Sequence, residues 1–282
     1  MPRSHLFGKL AAICGMALLA AAPAYAAQSC KEDPAMDRAF ADAGARGTFV
    51  LLDGQTGALA CHHAARARSG FLPASTYKIP NSLIALETGV ASGPGFALPW
   101  DSRRNPRQDW WPQTWARDQT LATALPNSVV WFYRELARRI GPARMQAYVD
   151  KFGYGNRNIG GSIDHFWLTG DLRISALQQA QFLQRFYTEK LAVSHRSTQI
   201  VKDAIVLEST PAYRLSGKSG WAGMGEAGAR QTGWLVGYLE RGEKVYFYAL
   251  NMDMSKPAQG PARLALAKAI LRGRGLMPLA PE

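Results

Sequence analysis

The chain has 282 residues, 33 of them basic and 21 acidic, for a formal net charge of +12 at neutral pH, and 47% are hydrophobic. That is long and apolar enough for a full core in one large domain or two interleaved lobes. The basic residues are scattered with no run of five or more, which with the export signal described next argues against a nucleic-acid partner and for a soluble basic periplasmic protein.

Residues 1–26 read as a secretory signal peptide. Arg3 and Lys9 give a positive start, LAAICGMALLAAA (10–22) an apolar stretch too short to span a bilayer, and Ala24-Tyr25-Ala26 a cleavage site. Cys14 follows Ile13, where lipidation wants a small residue, so no stable membrane anchor is expected. The mature chain then starts near Ala27 and, having shed Arg3 and Lys9, carries a net charge of +10. It keeps Cys30 and Cys61. An even pair in an exported protein favours a disulfide, with two buried free thiols as the alternative. Neither belongs to a C-x-x-C pair, so no structural metal is expected.

GTFVLLDGQTGALACHH (47–63) predicts two strands about a G-Q-T-G turn. FLPASTYKIPNSLIALETG (71–89) predicts a helix that starts near Ser75, tolerates Pro80 near its first turn and is closed by Gly89. Residues 90–127 hold five prolines and read as irregular loops. Helices follow at 128–141, 143–153 and 174–191, the last with Ser175 as N-cap. TGWLVGYLE (232–240) and KVYFYALNMD (244–253) predict a hairpin about R-G-E, and 261–275 a final helix. This order predicts an α+β fold. Both ends of the chain, about 27–80 and 200–282, share one antiparallel sheet flanked by helices. An all-helical lobe, about 81–199, is inserted between them, with a site at the seam.

Several apparent motifs lack the context they need. Gly223–Gly228 matches G-x-G-x-x-G but precedes a strand, so it is no dinucleotide loop. AYRLSGKS (212–219) ends like a phosphate loop, yet Ala212 stands where the first glycine belongs. His62 and His63, adjacent on a strand, point to opposite faces and have no third ligand spaced to help. No G-x-S-x-G elbow is present.

A second set gains its meaning from order and spacing. Ser75 and Lys78, three apart at a helix start, share a face and pair a hydroxyl with an amine. Ser128-Val129-Val130 opens a helix, where the serine alone reads as an N-cap. Tyr154-Gly155-Asn156 reads as a turn that carries an amide, and Lys218-Ser219-Gly220 suits an anionic substrate.

In this order the motifs resemble those of the class D, oxacillinase-type serine β-lactamases, within the penicillin-recognising serine hydrolases. The likeness runs from about Gly47 to Leu271. Ser75-Thr76-Tyr77-Lys78 is similar to the family's Ser-Thr-Phe-Lys, with Tyr77 in place of phenylalanine. SVV, YGN, FWLTGDLRIS and KSGW resemble its further motifs, and Arg263 resembles its carboxylate-binding arginine.

The resemblance implies a β-lactam amide hydrolase acting through an acyl-serine at Ser75, with Lys78 carbamylated by CO2 as general base. It implies Trp167 as the indole donor to that carbamate, and Val130 and Leu168 as its apolar wall. Lys218 and Ser128 would relay a proton to the leaving nitrogen. Ser219, Gly220, Trp221 and Arg263 would bind substrate, with the N–H groups of Ser75 and Trp221 as the oxyanion hole. No other cofactor is implied. The residues agree that a base other than glutamate is needed: between Glu135 and Glu189 the only carboxylates are Asp150, Asp164 and Asp171. Trp110, Trp111 and Trp115 either line the cleft rim or simply pack. The expected partner is a small-molecule β-lactam, and the expected state a monomer or homodimer. A β-lactam sensor and a penicillin-binding protein share the serine–lysine chemistry but usually carry membrane segments or further domains.

Overall fold

The computed structural model describes residues 30–224, 231–254 and 259–279. The signal peptide expected at 1–26 lies outside them, as do Gly225 and Gly228 of the G-x-G-x-x-G match. The strands are β1 Lys31–Glu32, β2 Gly47–Asp53, β3 Leu59–His62, β4 Ala97–Leu98, β5 Gln119–Thr120, β6 Val206–Ser209, β7 Arg214–Ala222, β8 Gln231–Arg241 and β9 Lys244–Met254. The helices are α1 Pro34–Asp42, α2 Ala64–Arg68, α3 Lys78–Glu87, α4 Leu121–Ala124, α5 Val130–Ile140, α6 Pro142–Phe152, α7 Ala176–Tyr187, α8 His195–Ala204 and α9 Gln259–Gly273.

One seven-stranded sheet runs β1-β3-β2-β9-β8-β7-β6, and β4 and β5 form a separate ribbon. The sheet is antiparallel as expected, except that the two-residue β1 runs parallel to β3. Its register is set by tight turns. Asp53 Oδ1 accepts from the N–H groups of Gln55 and Thr56 at 2.8 and 3.0 Å, which folds the chain from β2 into β3. Arg241 pairs with Lys244 across a two-residue loop whose Gly242 has φ +57°, a value that suits glycine. The ends of the chain meet at the sheet's centre, where Phe49 in β2 pairs with Leu250 in β9.

Period-two alternation gives the sheet two apolar faces. Phe49, Leu51, Leu235, Leu239 and Leu250 point to one face and pack with Met36 and Phe40 of α1 and Ile270 of α9. Val50, Leu52, Trp234, Val236 and Phe247 point to the other and join the core of the helical lobe. A helix from the inserted segment covers that second face: α7 lies against β2, β8 and β9. The segment expected as the helical lobe thus supplies the cover of the sheet's second face. The N-terminus of α7 is the expected cap, with Ser175 Oγ accepting from the Gln178 N–H at 3.1 Å and Gln178 Oε1 accepting from the Ser175 N–H at 3.0 Å.

Four helices have no counterpart in the sequence reading: α1, α8 and the short α2 and α4, the last within the stretch 90–127 expected as irregular loops. In α8 the buried residues are Ser197, Thr198 and Val201, so no apolar stripe advertises it. In α1 the buried face is only Met36 and Phe40, one turn apart. Among the described residues no helix is long and apolar enough to cross a membrane.

Cys30 and Cys61 are bonded, across a separation of 31 positions, and fasten the entry of β1 to β3. Loop closure of this size stabilises by about 3–4 kcal/mol in the chain-entropy model. Reduction should lower the melting temperature by on the order of 10 °C. Two titratable thiols in protein recovered from an oxidising compartment would refute the bond.

Candidate active site

Ser75 sits in a 3-10 turn, Ala74–Tyr77, that runs directly into α3. Four hydrogen bonds hold the segment leading into it, two of them in the bridge between Phe71 and Ile174. The Trp234 indole N–H donates to Leu72 O at 2.9 Å, and the Ala74 N–H donates to Trp167 O at 3.0 Å. Ala74 has φ +48°, a left-handed value that an alanine adopts at a cost of roughly 1–2 kcal/mol and that the neighbouring contacts enforce. Thr76 Oγ1 donates to Pro73 O at 2.7 Å and accepts from Gln179 of α7 at 2.9 Å.

Lys78 opens α3, and its Nζ lies 2.6 Å from Ser75 Oγ. The side chain is 0% exposed and has no carboxylate partner among the described residues. Burial, and secondarily the charge of Lys218, hold its pKa well below the ordinary lysine value. The Tyr133 ring lies 5.4 Å from Nζ. Tyr77, next to Lys78 in the chain, stacks on Trp167 with ring centroids 5.6 Å apart. The Tyr77 hydroxyl, which the sequence leaves in need of a partner, donates to Met145 Sδ at 3.1 Å. Trp167 Nε1 is buried and finds no acceptor.

Ser128 is not an N-cap. Val129 occupies that position without a side-chain bond, and Ser128 has φ +59°. Its Oγ instead accepts from Lys218 Nζ at 3.0 Å. Lys218 stands within β7, 3% exposed, with a second bond to Ser219 O at 2.9 Å. Burial, then the charge of Arg263, bring its pKa down to about 7.

Gly220 lets β7 ride on the serine turn. A Cβ there would stand 3.0 Å from Pro73 O and 3.2 Å from Thr76 N, tighter than side chains accept. Arg263 reaches across from α9. It donates to Gly220 O and, from Nε, to Gly260 O at 3.0 Å, with its guanidinium 5.6 Å from the Trp221 ring. Burial lowers its pKa to about 10.

Ser75, Ser128, Val130, Leu168 and the Ser219-Gly220-Trp221 edge line one cavity of about 780 Å³, with Arg263. Trp110, Trp111 and Trp115 line it too. Trp111 and Trp115 also pack, at 6% exposure each, while Trp110 is 42% exposed. Among the described residues no carboxylate lines this cavity, whereas Arg104, Arg134 and Arg263 do. Asp150 takes Gln146, and Asp164 takes Arg134 and Arg138.

Asn156 does not join the cavity. Its amide donates to Asp171 O at 2.9 Å and accepts from the Arg173 N–H at 3.0 Å, closing the segment 156–173 on which Trp167 and Leu168 ride. Gly155 makes the closure possible: at φ +56°, a Cβ there would collide with Arg173 O. His62 bonds Asp37 at 2.5 Å and stacks on Phe40, while His63 accepts from the Arg66 N–H and caps α2. Sequence reasoning missed Tyr133, although its place three residues after Val130 on α5 signals the same face. It also missed Arg134, which on a charged helix reads as solvated.

The penicillin-binding protein transpeptidase domain family matches residues 47–272. β-Lactamase OXA-5 of Pseudomonas aeruginosa is 38% identical over 250 residues, 89% of this chain and 92% of that protein. β-Lactamase OXA-48 of Klebsiella pneumoniae is 38% identical over 269 residues, 95% of this chain and 98% of that protein. Among solved structures, the class D β-lactamase YbXI from Nostoc is similar with a TM-score of 0.81 at 42% identity, covering 86% of this chain and 99% of that one. The serine–lysine turn, the strand laid against it and the likeness along most of the chain agree: the protein belongs to the class D serine β-lactamase family.

Proposed function

We propose that the protein hydrolyses β-lactam antibiotics through a covalent acyl-serine at Ser75, with a carbamylated Lys78 as general base. The observation that carries this reading is a fully buried amine 2.6 Å from the hydroxyl of Ser75, which lines a cavity with no carboxylate among its described lining residues. Ser75 Oγ attacks the lactam carbonyl carbon as it loses its proton, and the lactam C–N bond breaks. The nitrogen takes a proton along the Lys218–Ser128 pair, whose atoms are 3.0 Å apart. Water then attacks the ester carbon and releases the opened product and free Ser75. The N–H groups of Ser75 and Trp221 hold the carbonyl oxygen as it gains charge. Ser219 and Arg263 hold the carboxylate that penicillins and cephalosporins share, with Arg263 steadied by Gly220 O and Gly260 O.

A carbamate fits the residues around Lys78. Burial favours the neutral amine, the form that adds CO2. The group, once formed, supplies an anionic base beside Ser75. Trp167 Nε1, buried and without an acceptor, is the donor it needs, and Val130 and Leu168 keep the surroundings apolar. We propose that the chain acts in the periplasm, or is secreted, after loss of residues 1–26, as a monomer or homodimer.

Ser75→Ala should abolish turnover and covalent labelling. A penicilloyl adduct on that variant, seen by mass spectrometry, would remove Ser75 as nucleophile. Turnover of a chromogenic cephalosporin should continue over many cycles, whereas one burst would point to a β-lactam sensor.

Activity should fall on degassing or at acid pH and return with bicarbonate. Enzyme held in carbon-13 bicarbonate should show a carbamate resonance that Lys78→Ala lacks. Full activity without that resonance would leave Lys78 an ordinary amine base.

Lys218, with a pKa of about 7 against 10.5 for a free lysine, should also mark the stability profile. Between those values the unfolded chain holds the proton and the folded one does not, so stability from this group rises with pH. From pH 7 to pH 9 the wild type should gain about 2 kcal/mol relative to Lys218→Met in denaturant titrations. Parallel pH profiles for the two proteins would contradict the depressed pKa.

A further inference from the structure

The cavity has a second positive wall that the reaction above does not use. Arg134 stands on α5 one turn beyond Val130, and both line the cavity. Its Nε and Nη2 donate to Asp164 Oδ2 at 3.3 and 3.2 Å, and its Nη1 has no partner among the described residues. Asp164 lies behind this wall and does not line the cavity.

That carboxylate is already saturated. It also accepts from Arg138 Nη1 at 2.5 Å and Ser162 Oγ at 2.6 Å, and His165 Nδ1 lies 2.8 Å from it. Arg138 is shared with Glu135, which also holds Arg139. Three guanidinium groups thus face two carboxylates, leaving one positive charge uncompensated. Of the three, Arg134 is the one that lines the cavity. Arg104, exposed on the 101–110 loop, lines the same cavity and forms no salt bridge among the described residues. His165 shares the wall, with its Nδ1 2.8 Å from Asp164 Oδ1.

Arg263 belongs to a different wall, built from β7 and α9. In a penicillin the ring carboxylate and the acylamino side chain leave the fused rings at opposite ends. A cavity of about 780 Å³ has room for the rings and a whole side chain. We propose that Arg134, with Arg104, forms a second anion subsite that accepts a negatively charged group on the acyl side chain, so that the enzyme favours dianionic β-lactams over their monoanionic counterparts. This rests on the hydrolysis reading above.

The test compares kcat/KM for carbenicillin and benzylpenicillin, which differ by one carboxylate on the side-chain α-carbon. In Arg134→Gln the carbenicillin-to-benzylpenicillin ratio should fall about five- to tenfold, the worth of one charge-assisted hydrogen bond at a partly exposed site. Arg134→Lys should restore most of it, and Arg104→Gln should lower it by a smaller factor. Added salt should lower the wild-type ratio towards that of Arg134→Gln. A loss equal for both substrates, or a ratio unmoved by either glutamine variant, would overturn the subsite, since a purely structural effect of Arg134 cannot separate the two penicillins. A wild type that turns over neither penicillin would instead overturn the hydrolysis reading, and this inference with it.

Discussion

An unpaired lysine buried beside a serine is the constraint from which the rest of the site follows. Lys78 is fully buried and has no counter-ion among the described residues, so burial disfavours its ammonium form. The core about the serine turn is aromatic. Tyr77 and Trp167 come from the serine turn and the 156–173 segment, and Tyr133 from α5. Each is supported by further packing, Tyr77 by Tyr154 and Phe166, and Tyr133 by its hydroxyl contact with Ser82 at 2.8 Å. The apolar mass of the helical lobe is thus the solvent in which the reactive pair is dissolved.

The sheet supplies the opposing wall, and it does so by contact of backbone with backbone. With glycine at 220, β7 lies against the turn that carries Ser75, while the Trp234 indole of β8 grips Leu72 just ahead of it. Lys218 then reaches Ser128 across the seam. Two buried lysines and two left-handed residues, Ala74 and Ser128, are concentrated within one small volume. Such a cluster destabilises the fold locally and is sustained by the two cores on either side of the sheet.

Much of this was legible in the sequence, for identifiable reasons. The turns G-Q-T-G and R-G-E carry their own geometry, so both hairpins could be read directly. Ser75 and Lys78 could be paired because three residues on a helical turn fix their distance. What stayed hidden depended on partners far along the chain. The periodicity of α7 shows that it has an apolar face, but not that the sheet is what it covers. Helix α8 buries serine and threonine, which no hydrophobic pattern marks. Asn156 looked like a site amide, yet its bonds run to Asp171 and Arg173, two loop positions with no signature of their own. Ser128 looked like a cap, and only the arrival of Lys218 from β7 shows what its hydroxyl meets.

The pairing of β2 with β9 has a consequence for how the molecule comes into being. Phe49 cannot meet Leu250 until nearly all of the intervening chain has been made. The central strand pair is therefore among the last contacts available during synthesis, and before then α7 lacks the β8 and β9 part of the floor it rests on. Strand pairing over such a separation slows folding, because the entropy of closing the loop is lost before the contact is gained. On the exported location proposed above, delay is useful: an export machinery threads unfolded polypeptide, and the N-terminal portion would reach it while the strands that would lock it are still unmade. The Cys30–Cys61 bond would then close in an oxidising compartment as β1 settles beside β3.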